Sequence, residues 1–242
     1  VVKVGEWIIN MTTISVYFQV FSNKRAVFEC LKSFRLIYNN EPITLVSDCG
    51  ENFDEMVPKF NLNYYKANKN ILPKGKMSGI DGVKEYLKRI NEHCLNNDSE
   101  WVLLMEEDVQ SQRKINHFPS TECAGPRLNP YSTQLNNYLI SIYGYKNYGY
   151  GICGGSIFKR EAFLNAYKNT PNIEDYVQYD NRLSGWGDIP LTLLFHLSGY
   201  NYSIWNEVSE KTHYTNPIIR DSAFDHAYKY WYNKEYISEL CT

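Results

Sequence analysis

No apolar run in this 242-residue chain approaches the roughly 20 residues that a bilayer-spanning helix needs, so no membrane span is expected. Nor do residues 1–10 carry the charged start and long apolar centre of a signal peptide. Basic excess is missing too. Lys and Arg number 25 against 27 Asp and Glu, and a chain that neutralises phosphates needs a clustered positive surface, which argues against nucleic acid as a partner. The six cysteines, Cys30, Cys49, Cys94, Cys123, Cys153 and Cys241, form no C-x-x-C pair and stand near no His at zinc-finger spacing, which predicts reduced core thiols. Internal repeats, low-complexity segments and P-loop spacing are also lacking. These absences together predict a cytoplasmic protein. Glycosylation-type tripeptides at Asn10, Asn97 and Asn201, with the even cysteine count, would equally suit a lumenal catalytic fragment without its anchor.

What the chain has is core-forming material: 43% hydrophobic and 15% aromatic residues, enough for one sizeable domain spanning 1–242. Residues 14–21 are β-branched and aromatic and read as a strand, followed by Ser22-Asn23 as a helix cap. Ala26, Phe28, Leu31, Phe34 and Leu36-Ile37 then recur at helical spacing up to Glu41-Pro42, and residues 43–48 form a second strand. A short strand at 63–65 and an amphipathic helix at 80–95 precede the apolar strand Trp101–Met105. Residues 112–150 are polar, Tyr-rich and weakly periodic, and read as a long excursion with some helix around 131–142. A Gly-rich strand at 151–158, helices at 159–167 and 189–197, a strand at 202–205 and an aromatic helical tail at 223–240 complete the pattern. Strands alternating with helices predict an α/β fold, a mostly parallel central sheet flanked by helices, with ligands outside the carboxyl ends of the strands.

Glu106-Glu107-Asp108 stand at such an end. Three adjacent carboxylates repel one another unless a cation neutralises them, and hard oxygen ligands favour Mn²⁺ or Mg²⁺, usually shared with a substrate phosphate. A solvated acidic turn is the structural alternative. Ser184-Gly-Trp-Gly-Asp188 places a carboxylate at a helix start, where it serves as a cap or, beside the flat face of Trp186 and the pliant Gly187, as a base for an incoming hydroxyl. Lys74-Gly-Lys76-Met-Ser78 reads either as a diphosphate contact or as a solvated turn. Among the histidines, His213 follows the late strand and is a candidate metal ligand; His93, His117, His196 and His226 take the structural reading.

The order of these pieces resembles the GT-A nucleotide-sugar glycosyltransferases. Glu106-Glu107-Asp108 is similar to the D-x-D motif with Glu at its first position, and Gly154-Gly155 through Gly185-Trp186-Gly187-Asp188 resembles a segment of inverting galactosyltransferases. The resemblance implies a Rossmann-like GT-A domain, with nucleotide-binding residues about 12–110, acceptor-binding residues about 111–215 and a C-terminal tail 216–242. It implies a metal-dependent transfer from a UDP-sugar donor to a hydroxyl of a glycan or glycoprotein acceptor. Asp108, His213 and Glu106 would hold Mn²⁺ or Mg²⁺. Gln19, Phe21, Asp48, Lys76, Ser78, Glu106 and Glu107 would bind the nucleotide-sugar, with Asp48 on uracil. Gly154, Gly155, Trp186 and Gly187 would face the acceptor, and Asp188 would act as general base with inversion. A retaining transferase with the same donor site and a non-catalytic nucleotide-sugar or glycan-binding module remain open. Compact transferases encoded by large algal viruses are compatible with the same resemblance.

Overall fold

A computed structural model describes residues 14–73, 76–144, 146–170, 172–210 and 221–226. Strand β1 (Ile14–Val20) alternates strictly: Ile14, Val16, Phe18 and Val20 enter one core layer, while Tyr17 enters the other. That period of two is what a strand with both faces covered requires. Asn23, left-handed at φ 69°, caps helix α1 (Lys24–Ile37) by accepting from the Ala26 amide at 3.2 Å. The helix buries Val27, Leu31 and Phe34 against β1 and strand β2 (Ile43–Ser47), roughly 1.5–3 kcal/mol for each side chain. A one-turn helix α2 (Val57–Phe60) leads to strand β3 (Asn63–Lys66), which pairs with β2 in parallel.

Helix α3 (Ile80–Leu95) packs Val83, Leu87, Ile90 and Cys94 on the opposite face of the sheet. It feeds strand β4 (Trp101–Met105), parallel to β1. The remaining elements are strands β5 (Val109–Ser111), β6 (Cys123–Gly125) and β7 (Asn129–Pro130), helix α4 (Thr133–Tyr143), strands β8 (Gly149–Tyr150) and β9 (Ile157–Lys159), helices α5 (Arg160–Asn169) and α6 (Asp188–Leu197), and strands β10 (Tyr202–Ile204), β11 (Val208–Glu210) and β12 (Phe224–His226). The central sheet runs β10-β6-β9-β4-β1-β2-β3, with β9 antiparallel to both its neighbours and the other pairings parallel. A small sheet, β11-β12-β5, stands beside it. Among the described residues no helix is long and apolar enough to cross a membrane.

Three expectations change. The excursion at 112–150 contributes β6 to the central sheet, buried over Cys123, Ala124 and Gly125; three residues are too few to show a period. The Gly-rich strand expected at 151–158 is mostly a turn, and pairing begins only at Ile157. Gly155 takes φ +83° there, which ends an extended strand. The start of the expected tail helix is strand β12; residues 227–242 lie outside the described residues. Cys30, Cys94, Cys123 and Cys153 are buried unpaired thiols, while Cys49 is exposed.

Candidate active site

Pairing register builds the site. His226, at the end of β12, stands opposite Val109 of β5, the residue after Asp108, and opposite Glu210 of β11 on its other side. Its ring therefore lies between two acidic groups. Nε2 is 3.4 Å from Glu106 Oε2 and 3.4 Å from Asp108 Oδ1. Nδ1 is 3.4 Å from Cys153 Sγ and 3.7 Å from Glu210 Oε1. Burial opposes charge on this ring, but the Cys153 sulfur and the Asp108 and Glu106 carboxylates outweigh it, so the imidazole pKa lies well above its ordinary value. The Cys153 thiol is itself pushed up by burial, with His226 pulling the other way.

The turn at 153–156 closes over this group. Gly155 N–H donates to Leu104 O at 2.8 Å and Leu104 N–H to Ser156 O at 2.9 Å, extending the β4–β9 contact to the acidic residues. Gly154 N–H donates to Glu106 Oε1 at 3.0 Å. A Cβ on Gly154 would lie 3.1 Å from both Glu106 Cβ and His226 Cδ2 and 2.6 Å from Val109 Cγ2, so only glycine lets the turn approach this closely. Glu107 is partly buried in the same bend; with Asp108 it adds to the effect of burial in raising the Cys30 thiol.

From Glu210 a charged chain continues to the other half of the site. Arg127 Nη1 donates to Glu210 Oε1 at 2.5 Å, and Arg127 Nη2 lies 3.4 Å from Asp188 Oδ2. Asp188 opens α6, where Oδ1 accepts from Ile189 N–H at 3.0 Å; burial raises its pKa, with Arg127 counteracting. Before it, Trp186 is 47% exposed. Lys76 Nζ lies 5.8 Å from the Trp186 ring centroid, and Met77 N–H donates to Gly185 O at 3.0 Å, so the 76–78 loop and the glycine-tryptophan turn form one wall. Gly187 packs under Met77 and Tyr86. Ser78 donates its backbone N–H to Ile71 O at 2.8 Å.

At the ends of β1 and β2 the geometry differs from expectation. Asp48 is 1% exposed; its oxygens accept from Ile71 N–H at 3.0 Å and Leu72 N–H at 3.1 Å and meet Arg89 Nη1 at 2.8 Å. With those acceptors taken by the protein, Asp48 clamps the 71–72 segment and is not presented to a base. Gln19 lies beside it: Oε1 accepts from Tyr17 Oη at 2.7 Å, while the buried Nε2 has no hydrogen-bond partner. Phe21, 47% exposed, lies just past the end of β1.

His213 lies outside the described residues. His226, read from sequence as structural, is carried by the small sheet to Glu106 and Asp108 of the acidic triplet. Arg127, Glu210 and Cys153, which no motif marks, are brought to the same group. Their only sequence signal is polarity within very short strands or turns. Glu106, Asp108 and His226 bring their ligand atoms within 4.8 Å of one another, and two carboxylates with an imidazole suit Mn²⁺ or Mg²⁺ chemistry.

No family model matches the sequence, and no curated relative does. Solved structures do match. Galactosyltransferase LgtC in complex with donor and acceptor sugar analogues aligns with TM-score 0.53 at 12% identity, over 88% of this chain and 86% of that one. An active-site mutant of LgtC aligns equally well, with TM-score 0.53 at 12% identity. At such identity the likeness is one of architecture: this chain has a GT-A glycosyltransferase fold.

Proposed function

We propose that the protein is a metal-dependent glycosyltransferase that moves a sugar from a UDP-sugar to a hydroxyl of a glycan or glycoprotein acceptor. The observation that carries this reading is the convergence of Glu106, Asp108 and His226 at the carboxyl end of β4, linked through Glu210 and Arg127 to Asp188. Binding of donor and acceptor sugar analogues by a protein of the same fold supports it.

In this reading Asp108, Glu106 and His226 hold Mn²⁺ or Mg²⁺. The ion supplies Lewis-acid neutralisation of the diphosphate leaving group. Glu107 faces the ribose side, and Lys76 and Ser78 the phosphates. Gln19 lies on the base side, with Phe21 as the pocket's apolar edge. Trp186, Gly187, Gly154 and Gly155 shape the acceptor side. Asp188, made more basic by burial, takes the acceptor proton, and the sugar inverts. One contact favours a second reading: the Arg127 pairing suits Asp188 to orienting the donor in a retaining transfer.

The test is UDP binding by calorimetry in Mn²⁺ and in EDTA. Asp108→Ala and His226→Ala should weaken binding in Mn²⁺ far more than in EDTA. Equal losses in both conditions would remove these residues from the coordination sphere. Donor turnover in Mn²⁺ separates an enzyme from a binding module.

A further inference from the structure

Glu106 and Asp108 face one edge of the His226 ring, and the opposite edge faces a second donor set. Cys153 Sγ, Glu210 carboxylate oxygen and His226 Nδ1 all lie within 4.8 Å of one another. Each is nearly enclosed: Cys153 is 8% exposed, and the side chains of Glu210 and His226 are 10% and 11% exposed. Glu210 Oε1 is engaged by Arg127, but the buried Oε2 has no hydrogen-bond partner.

The sulfur–nitrogen spacing suits a particular metal class. Zinc bonds of about 2.3 Å to sulfur and about 2.0–2.1 Å to nitrogen or oxygen, at tetrahedral angles, place sulfur about 3.5 Å from nitrogen and nitrogen about 3.3 Å from oxygen. Here Sγ is 3.4 Å from Nδ1; Glu210 Oε1, which Arg127 holds, is 3.7 Å from Nδ1, and a Glu210 oxygen lies within 4.8 Å of both other ligand atoms. A sulfur ligand selects soft or borderline ions, whereas the Glu106 and Asp108 oxygens select hard ones. The local field favours a cation, since the carboxylates of Glu106, Asp108, Glu210 and Asp188 outnumber the guanidinium of Arg127.

We propose that Cys153, Glu210 and His226 Nδ1 form a second, thiophilic divalent-cation site of the Zn²⁺ class, and that filling it blocks the Mn²⁺ or Mg²⁺ site by claiming the same imidazole. A neutral imidazole carries one N–H. When Nδ1 donates its lone pair to zinc, the proton resides on Nε2, which then has no lone pair for a second ion. The Cys153 thiol proton leaves to the buffer as the Zn–S bond forms, so no oxidant or reductant is involved. Zinc is thereby an inhibitor of the proposed transfer, acting one ring-width from the hard-cation site.

The blocking step rests on the metal reading given above, whereas the zinc-class site stands on its own spacing. Co²⁺ serves as a spectroscopic probe in the full chain. A Cys49→Ser background removes the exposed thiol among the described residues. The background protein should bind Co²⁺ with a thiolate charge-transfer band, and adding Cys153→Ser should abolish the band. Mn²⁺ binding, followed by electron paramagnetic resonance, should fall at least tenfold on saturation with Zn²⁺ in the background protein. With Cys153→Ser the same loss should need at least tenfold more Zn²⁺, because only direct competition at Glu106, Asp108 and His226 remains, and an unchanged Zn²⁺ requirement overturns the blocking. A band that is absent, or that survives Cys153→Ser, overturns the site, and undiminished Mn²⁺ binding beside bound Zn²⁺ overturns the blocking. If Mn²⁺ alone does not bind, the metal reading and the blocking fall together, and the cobalt band still decides the second site.

Discussion

His93 sits on α3 with Nε2 3.0 Å from Ser15 Oγ and Nδ1 2.9 Å from Thr44 Oγ1, and burial pulls its pKa down to about 4. It ties the helix to β1 and β2 one turn beyond Arg89, which holds Asp48. The folded pKa is depressed, so the neutral ring stabilises the native state above the unfolded value near 6.5, and that stability is lost as pH falls through the window toward about 4. Linkage from these two values gives a loss of about 2 kcal/mol at about pH 5 and about 3 kcal/mol at about pH 4. For a chain of this size, with a urea slope of roughly 2–3 kcal/mol/M, the pH 5 loss is a midpoint shift approaching about 1 M. Urea unfolding followed by tryptophan fluorescence at about pH 7.5 and pH 5 measures the shift. His93→Gln, which keeps polar contacts without titrating, should flatten the pH dependence by that amount. The subtraction is needed because His196 is also buried with a lowered pKa and adds its own slope. An unchanged slope in His93→Gln, or a His93 resonance that titrates near 6.5 by NMR, would refute the reasoning.

Asp188→Asn keeps an acceptor for Ile189 N–H but cannot take a proton, so turnover should fall about 10²–10⁴-fold with donor affinity retained; product configuration by NMR separates inversion from retention. Because the His226 ring must lose a proton to bind metal and its pKa is raised, Mn²⁺ affinity should rise with pH until the ring is neutral and level off above, measurable by titration calorimetry. Gly155→Ala combines φ +83° with a Cβ 2.6 Å from Val208 Cγ2, and should cost about 1–3 kcal/mol in urea unfolding while disturbing the turn over Glu106. Arg89→Met leaves Asp48 buried without its cation, and should cost about 3–5 kcal/mol, whereas Glu85→Gln on the exposed side of Arg89 should be nearly silent.

Wherever an element is long enough to show its period, the sequence determined it. Helix α3 occupies 80–95 as its apolar spacing predicts, and β4 occupies Trp101–Met105, which places the acidic triplet at a strand end. Asn23 as a cap follows from local hydrogen-bonding chemistry that needs no distant partner, whereas Asp188 is the first residue of α6 and makes no capping bond. Only tertiary structure decided the rest. Strands β6, β11 and β12 are three residues each and carry no period, and the pairing of β12 with β5 joins residues far apart in the chain. That pairing turns His226 from an unremarkable tail residue into the neighbour of Glu106 and Asp108. The same holds in the opposite sense for Asp48, a strand-end carboxylate by sequence whose oxygens the fold gives to Ile71, Leu72 and Arg89. A side chain's chemistry is written locally, but whether it meets a ligand or another part of the protein depends on burial and register, which arise only when distant segments pack.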